Sequence, residues 1–133
     1  MAKVEVKDDR RYTKDHEWAK SDGDELVVGV SAFAVEQLGD ITMVTIDVSE
    51  GDEIEAGKPY GTVESVKTLA DLFAPVSGKV LRSNEALEDE PELINDDCYD
   101  KGWLIAIAPS DASQVDGLLD AKAYTAHLET EES

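Results

Sequence analysis

Apolar and polar positions change period several times along the chain, and each change predicts an element. Glu25 to Val30 is a short apolar-rich run after the turn signal Asp22-Gly23-Asp24, and it predicts a strand. Ser31 is then placed to cap a helix running through Leu38, with Phe33, Ala34 and Leu38 apolar and Gly39 stopping it. From Asp40 to Val48, Val44, Ile46 and Val48 alternate with Thr45 and Asp47, the pattern of a strand with one face buried. Turns at 49–52 and 55–57 bracket Ile54. Gly78 to Arg82 predicts a further strand, Glu88 to Pro91 opens a helical turn with Pro91 suited to its first position, and Gly102 to Ala108 forms an apolar strand ended by Pro109. Beyond Pro109 the period becomes helical: Val115, Leu118, Leu119, Tyr124 and Leu128 share a face, with a break near Gly117 and Asp120. Residues 1–11 read as loosely held, and residues 110–133 as a helical extension whose acidic end, from Glu129, frays.

Two further runs, Tyr60 to Val63 and Leu69 to Val76, flank Lys67 and predict a hairpin with this lysine near its tip. Pro75 and Gly78 punctuate its second arm. A lysine in a turn is ordinarily a solvated surface residue. Many short strands with frequent glycine turns predict a mainly β fold, an antiparallel sandwich or flattened barrel decorated by short helices. No Pro/Ser-rich linker interrupts the chain, so residues 1–133 read as one domain.

Composition narrows the function. Of 133 residues, 32% are charged, and the net charge is −19. Phosphates and anionic membrane surfaces would repel such a chain, which excludes nucleic acid and a membrane surface as natural partners. Partners with basic docking faces suit it better. Cys98 is the one cysteine, so no intrachain disulfide forms, in keeping with a reducing compartment. No stretch has signal-peptide character or the ~20 apolar residues of a membrane span, and the expected location is cytoplasmic. A mitochondrial matrix protein that has lost its transit peptide is the other possibility.

Catalytic and metal chemistry find little support. Only His16 and His127 are available as bases, far apart in sequence, and the carboxylates lack the spacing of a calcium loop. Glu88-Asp89-Glu90 reads as a solvated acidic patch. No metal site and no phosphate-cradling loop is predicted.

The residues around Lys67 carry a resemblance. Glu64-Ser65-Val66-Lys67 followed by Ala74-Pro75-Val76-Ser77-Gly78 resembles the lipoyl-attachment hairpin of the glycine cleavage H-protein family. The likeness continues in Tyr12 to Trp18, Gly29 to Ala34, Gln37 to Ile41, Asn84 to Leu87, Pro91 to Asn95 and Tyr99 to Leu104. It implies a sandwich of lipoyl/biotinyl type, with lipoate in amide linkage to Lys67 and Glu64, Ser65 and Val66 recognised by a lipoate ligase or lipoyl transferase. It implies a monomeric, non-catalytic shuttle of aminomethyl groups. The partners would be a pyridoxal-phosphate glycine decarboxylase, a tetrahydrofolate-dependent aminomethyltransferase and dihydrolipoamide dehydrogenase. By the same resemblance Glu17, with Trp18 beside it, belongs to a pocket for the loaded arm, where an exposed carboxylate would hold a cationic cargo. Cys98 stands where the family usually has proline, and it reads as a small, part-buried residue. A relay donating lipoate to other lipoyl domains stays open. A biotin carrier fits less well, because Val66 and Thr68 stand where such domains have methionines.

Overall fold

The computed structural model describes residues 6–132. Among the described residues nine strands form two antiparallel sheets. The larger has the order β1 (Arg11–Tyr12), β2 (Glu17–Asp22), β3 (Glu25–Val30), β9 (Ile105–Pro109), β8 (Gly78–Ser83) and β5 (Glu53–Ile54). The smaller has β4 (Ile41–Ile46), β6 (Pro59–Ser65) and β7 (Leu69–Phe73), with β6 in the middle.

Strand periodicity fills the space between the sheets. Leu26, Val28 and Val30 of β3, Ile105 and Ile107 of β9 and Val80 of β8 pack with Val44, Val63 and Leu72 of the small sheet. Each such aliphatic side chain contributes about 1.5–3 kcal/mol when removed from water. A turn hydrogen bond nets only about 0.5–1.5 kcal/mol. The β6–β7 hairpin is therefore held in place by Val63 and Leu72 beneath it more than by its own turn.

The other face of the large sheet is covered too. Tyr12, Trp18, Phe33, Tyr99, Tyr124 and Leu128 form a second apolar cluster there. Trp18 pairs with Gly29, and a Cβ on that glycine would lie 2.5 Å from the indole. Only glycine lets the tryptophan lie flat at this point.

Helix α1 (Ala32–Leu38) follows its sequence signals closely. Ser31 Oγ accepts from the Ala34 N–H, and Gly39 closes the helix at φ 79°. Helices α4 (Ala112–Asp116) and α5 (Ala121–Glu132) flank the break expected near Gly117. Several expectations need correction. Lys7 and Arg10 are fastened down: Tyr12 donates to the Lys7 carbonyl, and buried Arg10 donates to the Tyr99 carbonyl at 2.7 Å with its guanidinium 4.5 Å above the Trp18 ring. The expected looseness of residues 1–5 lies outside the described residues. At the other end α5 continues through Glu132 instead of fraying at Glu129, and Ser133 lies outside the described residues. Pro91 falls between two short helices, α2 (Ala86–Asp89) and α3 (Leu93–Asp96), rather than opening one. The strand expected from Gly102 begins only at Ile105. Gly102 itself is wedged against α3, where a Cβ would lie 2.8 Å from the Ile94 Cα.

Candidate functional site

Lys67 lies exposed in the turn between β6 and β7. Ser65 builds that turn. Its Oγ accepts from the N–H groups of Lys67 and Thr68, both at 3.2 Å, and its backbone N–H donates to the Thr68 carbonyl at 2.8 Å. The Val66 N–H reaches the Asp40 carbonyl at 3.1 Å, which ties the tip to the junction of α1 and β4. The lysine stem passes over Gly39, whose added Cβ would sit 3.3 Å from Lys67 Cε. Gly39 is thus doubly suited: its φ favours glycine, and its bare α-carbon leaves room for the stem. Among the described residues no carboxylate pairs with the Lys67 ammonium. A protruding, unpaired primary amine on a rigid turn fits amide linkage to a carboxylic acid.

Glu64, Ser65 and Val66 lie beside it as the sequence suggests, with Glu64 and Val66 exposed and Ser65 buried in its own turn. Glu17 and Trp18 do not share a site. They are consecutive residues of β2, and a strand sends consecutive side chains to opposite faces. Trp18 enters the second apolar cluster, where its Nε1–H donates to the Cys98 carbonyl at 2.9 Å. Cys98 is half-buried there, as expected.

Glu17 points between the sheets and is 1% exposed, against the expected solvent-facing carboxylate. Tyr60 Oη donates to its Oε1 at 2.8 Å, and the Phe73 N–H to its Oε2 at 2.7 Å. The register of β6 against β7 slips between Pro59 and Gly61, so Tyr60 occupies a bulge with its side chain buried. Burial pushes the Glu17 carboxyl up to about 8, against the opposing pull of those two hydrogen bonds. One acid thereby links the large sheet to both arms of the Lys67 hairpin, at the end remote from the lysine. No composition or motif signal marks the Glu17–Tyr60–Phe73 contact. Only the bulge and a buried carboxylate reveal it.

Behind Trp18, the His16 Nδ1 lies 2.9 Å from Tyr124 Oη, which lies 2.7 Å from Ser31 Oγ. These contacts fasten α5 to the base of α1. Glu88, Asp89 and Glu90 are all exposed, as a solvated patch would be. No cluster among the described residues is arranged to hold a metal ion.

A β-sandwich with an exposed lysine at the tip of a hairpin suits a carrier of a covalently attached group. The comparisons specify which one. A sequence model described as glycine cleavage H-protein matches residues 10–131. The glycine cleavage system H protein of Anaeromyxobacter sp. (strain K) is 48% identical over 130 residues, covering 97% of this chain and all of the relative. That of Bacteroides thetaiotaomicron is 52% identical over 116 residues, covering 87% and 91%. The crystal structure of the glycine cleavage system H protein from Mycobacterium marinum superposes with a TM-score of 0.84 at 38% identity, covering 93% of this chain and 99% of that one. The chain belongs to the glycine cleavage H-protein family and is a lipoyl carrier of the glycine cleavage system.

Proposed function

We propose that Lys67 is the attachment residue and that the chain acts as a non-catalytic shuttle, one carrier unit working as a monomer in the cytoplasm. The supporting observation is the unpaired Lys67 amine on a turn stiffened by Ser65. To be loaded, the Lys67 ammonium gives up a proton and its Nζ attacks the carbonyl carbon of a lipoyl acyl-phosphate anhydride or thioester held by a lipoate ligase or lipoyl transferase. The N–C bond forms, the anhydride C–O or thioester C–S bond breaks, and the phosphate or thiolate leaves with the electron pair. When bound, lipoate supplies a disulfide/dithiol end suited to accepting and releasing an aminomethyl group. The chain's own contribution is position: the turn fixes the stem, and the core beneath fixes the turn.

The partners in this reading are a pyridoxal-phosphate glycine decarboxylase, a tetrahydrofolate-dependent aminomethyltransferase and dihydrolipoamide dehydrogenase. With a net charge of −19, association with basic docking faces is steered and slows as salt rises. Glu17 serves the loaded state from beneath the surface in this reading. A cation brought along β7 toward the hairpin base favours the ionised carboxylate that burial otherwise disfavours.

Intact mass and peptide mapping after expression with lipoate test the assignment. One lipoyl group on Lys67, absent from Lys67→Arg, is expected. Biotin instead, or modification persisting in Lys67→Arg, would overturn it.

A further inference from the structure

The side-chain amide of Asn95 is tied at both ends to one short stretch of backbone. Its Nδ2–H donates to the Gly39 carbonyl and its Oδ1 accepts from the Ile41 N–H, each at 2.9 Å. A carboxamide offers a donor and an acceptor side by side, whereas an ionised carboxylate of the same shape offers acceptors alone. Asn95 belongs to α3, which is anchored by fully buried Ile94 and packed against Gly102. The amide thus reaches from a fixed body to backbone 54 and 56 residues away in sequence.

The stretch it holds lies directly beneath the hairpin tip. Gly39 ends α1 with its N–H on the Val35 carbonyl, and the Lys67 stem crosses it, with Cε 3.3 Å from where a Cβ would stand. Asp40, between the two clamped residues, accepts from the Val66 N–H at 3.1 Å. Just beyond, the register of β4 against β6 slips between Ile41 and Met43. A bulge interrupts the ladder locally, so strand pairing holds residues 39–41 less firmly than it holds the rest of β4. Ser65 sets the shape of the turn, and the Val66–Asp40 bond sets its place over α1.

We propose that Asn95 is a positioning residue for the carrier arm: it holds residues 39–41 as the floor under the Lys67 stem, and so fixes where the arm begins and which way it leaves the hairpin. The inference rests on the assignment of lipoate to Lys67. Asn95 acts through Gly39 and Asp40 rather than on Lys67 itself. Without it the 39–41 backbone gains freedom, the Val66–Asp40 bond opens more often, and the stem leaves over a wider range of directions. A partner's active site then meets the end of the arm in productive geometry less often, although the surface it docks on is unchanged. Turnover falls while affinity is kept.

The test uses the full lipoylated chain, with amide hydrogen exchange read residue by residue and with kcat and KM for its aminomethyl loading by glycine decarboxylase. Asn95→Ala removes both contacts. Asn95→Asp keeps the shape but sets a carboxylate oxygen against the Gly39 carbonyl, and it decides the matter should Asn95→Ala fold poorly. Both variants are expected to speed exchange at Val66 by about tenfold relative to Ile107, which is paired on both sides within the large sheet. Both are expected to lower kcat by about fivefold with KM within about twofold of wild type. That is less than the roughly 10²-fold a 1 Å misplacement costs a rigid site, because the arm beyond Nζ is flexible. Asn84→Ala removes a similar pair of bonds, to the Lys101 and Trp103 carbonyls, and is expected to change neither quantity. Exchange rising equally at Val66 and Ile107 in the Asn95 variants would mark a plain stabilising residue and overturn the proposal. So would wild-type kcat in both of them, or the same fall in kcat in Asn84→Ala. Failure of wild type to take up lipoate on Lys67 would instead bring down the underlying assignment, while the clamp itself still stands or falls by exchange at Val66, which needs no lipoate.

Discussion

The two ends of the β6–β7 hairpin are built on opposite principles. At the tip, Ser65 satisfies the turn with bonds between neighbours in sequence, and Lys67 stands in solvent. At the base, Tyr60 and Phe73 are joined through Glu17, which comes from a different sheet and is 1% exposed. Loss of a bond at the tip lets water take the place of the missing partner. Loss of Glu17 strands a buried hydroxyl and a half-buried N–H. A carrier needs a tip that enzymes can grasp without disturbing what lies beneath, and this division provides it.

The largest expected effect comes from breaking the base. Glu17→Ala leaves two donors unpaired, each costing about 1–3 kcal/mol, plus the space the side chain filled. Denaturant unfolding is expected to show a loss of about 2–5 kcal/mol, while Glu17→Gln, which keeps an acceptor, loses less. A loss under about 0.5 kcal/mol in Glu17→Ala, the range of ordinary surface changes, would show the base to be no firmer than the tip.

Acidity offers a gentler probe of the same contact. Burial pushes the Glu17 carboxyl up to about 8 in the folded chain, above its ordinary value of 4.5, so between those values the folded state binds the extra proton. Its contribution to stability is complete below the lower value and is lost as pH rises through the higher one. The slope is at most about 1.4 kcal/mol per pH unit. Self-repulsion of so acidic a chain also grows with pH, so the informative quantity is the difference from Glu17→Gln. Wild type is expected to lose stability faster than this variant from pH 5 to 8. Parallel curves would mean that Glu17 stays ionised when buried.

The tip yields the smallest effect. Ser65→Ala removes the acceptor for two N–H groups that water can reach, so about 1 kcal/mol or less is expected, with faster amide exchange at Lys67 and Thr68. If Ser65→Ala cost as much as Glu17→Ala, the contrast between the two ends would be lost.

The same division explains what could be read from the chain. The hairpin tip and α1 are specified by neighbours: Glu64 to Lys67 at the first, Ser31 and Gly39 bracketing the second. The strand β2 has no local signal, because Glu17, Lys20, Ser21 and Asp22 give it no alternating apolar pattern. The expected exposed pocket carboxylate at Glu17 is instead buried because its partners lie 43 and 56 residues away, beyond any local signal. For Arg10 the distance is 89 residues to Tyr99. Local signals carry turns and caps. Burial of a charged residue depends on what the rest of the fold brings to it, and residue type alone argues against it.

The fastening of the chain's beginning has a consequence for its synthesis. Arg10 donates to Tyr99, Tyr12 exchanges backbone hydrogen bonds with Leu119, and the Tyr12 ring stacks 4.4 Å from that of Tyr124. A ribosome releases the first of these residues long before the last. Through most of translation Tyr12 and Trp18 have no α5 to cover them, and the aromatic layer can close only after Tyr124 has emerged. The large sheet likewise waits for β9, which joins β3 to β8, so sandwich and aromatic layer both close at the end of synthesis and the last helix seals them.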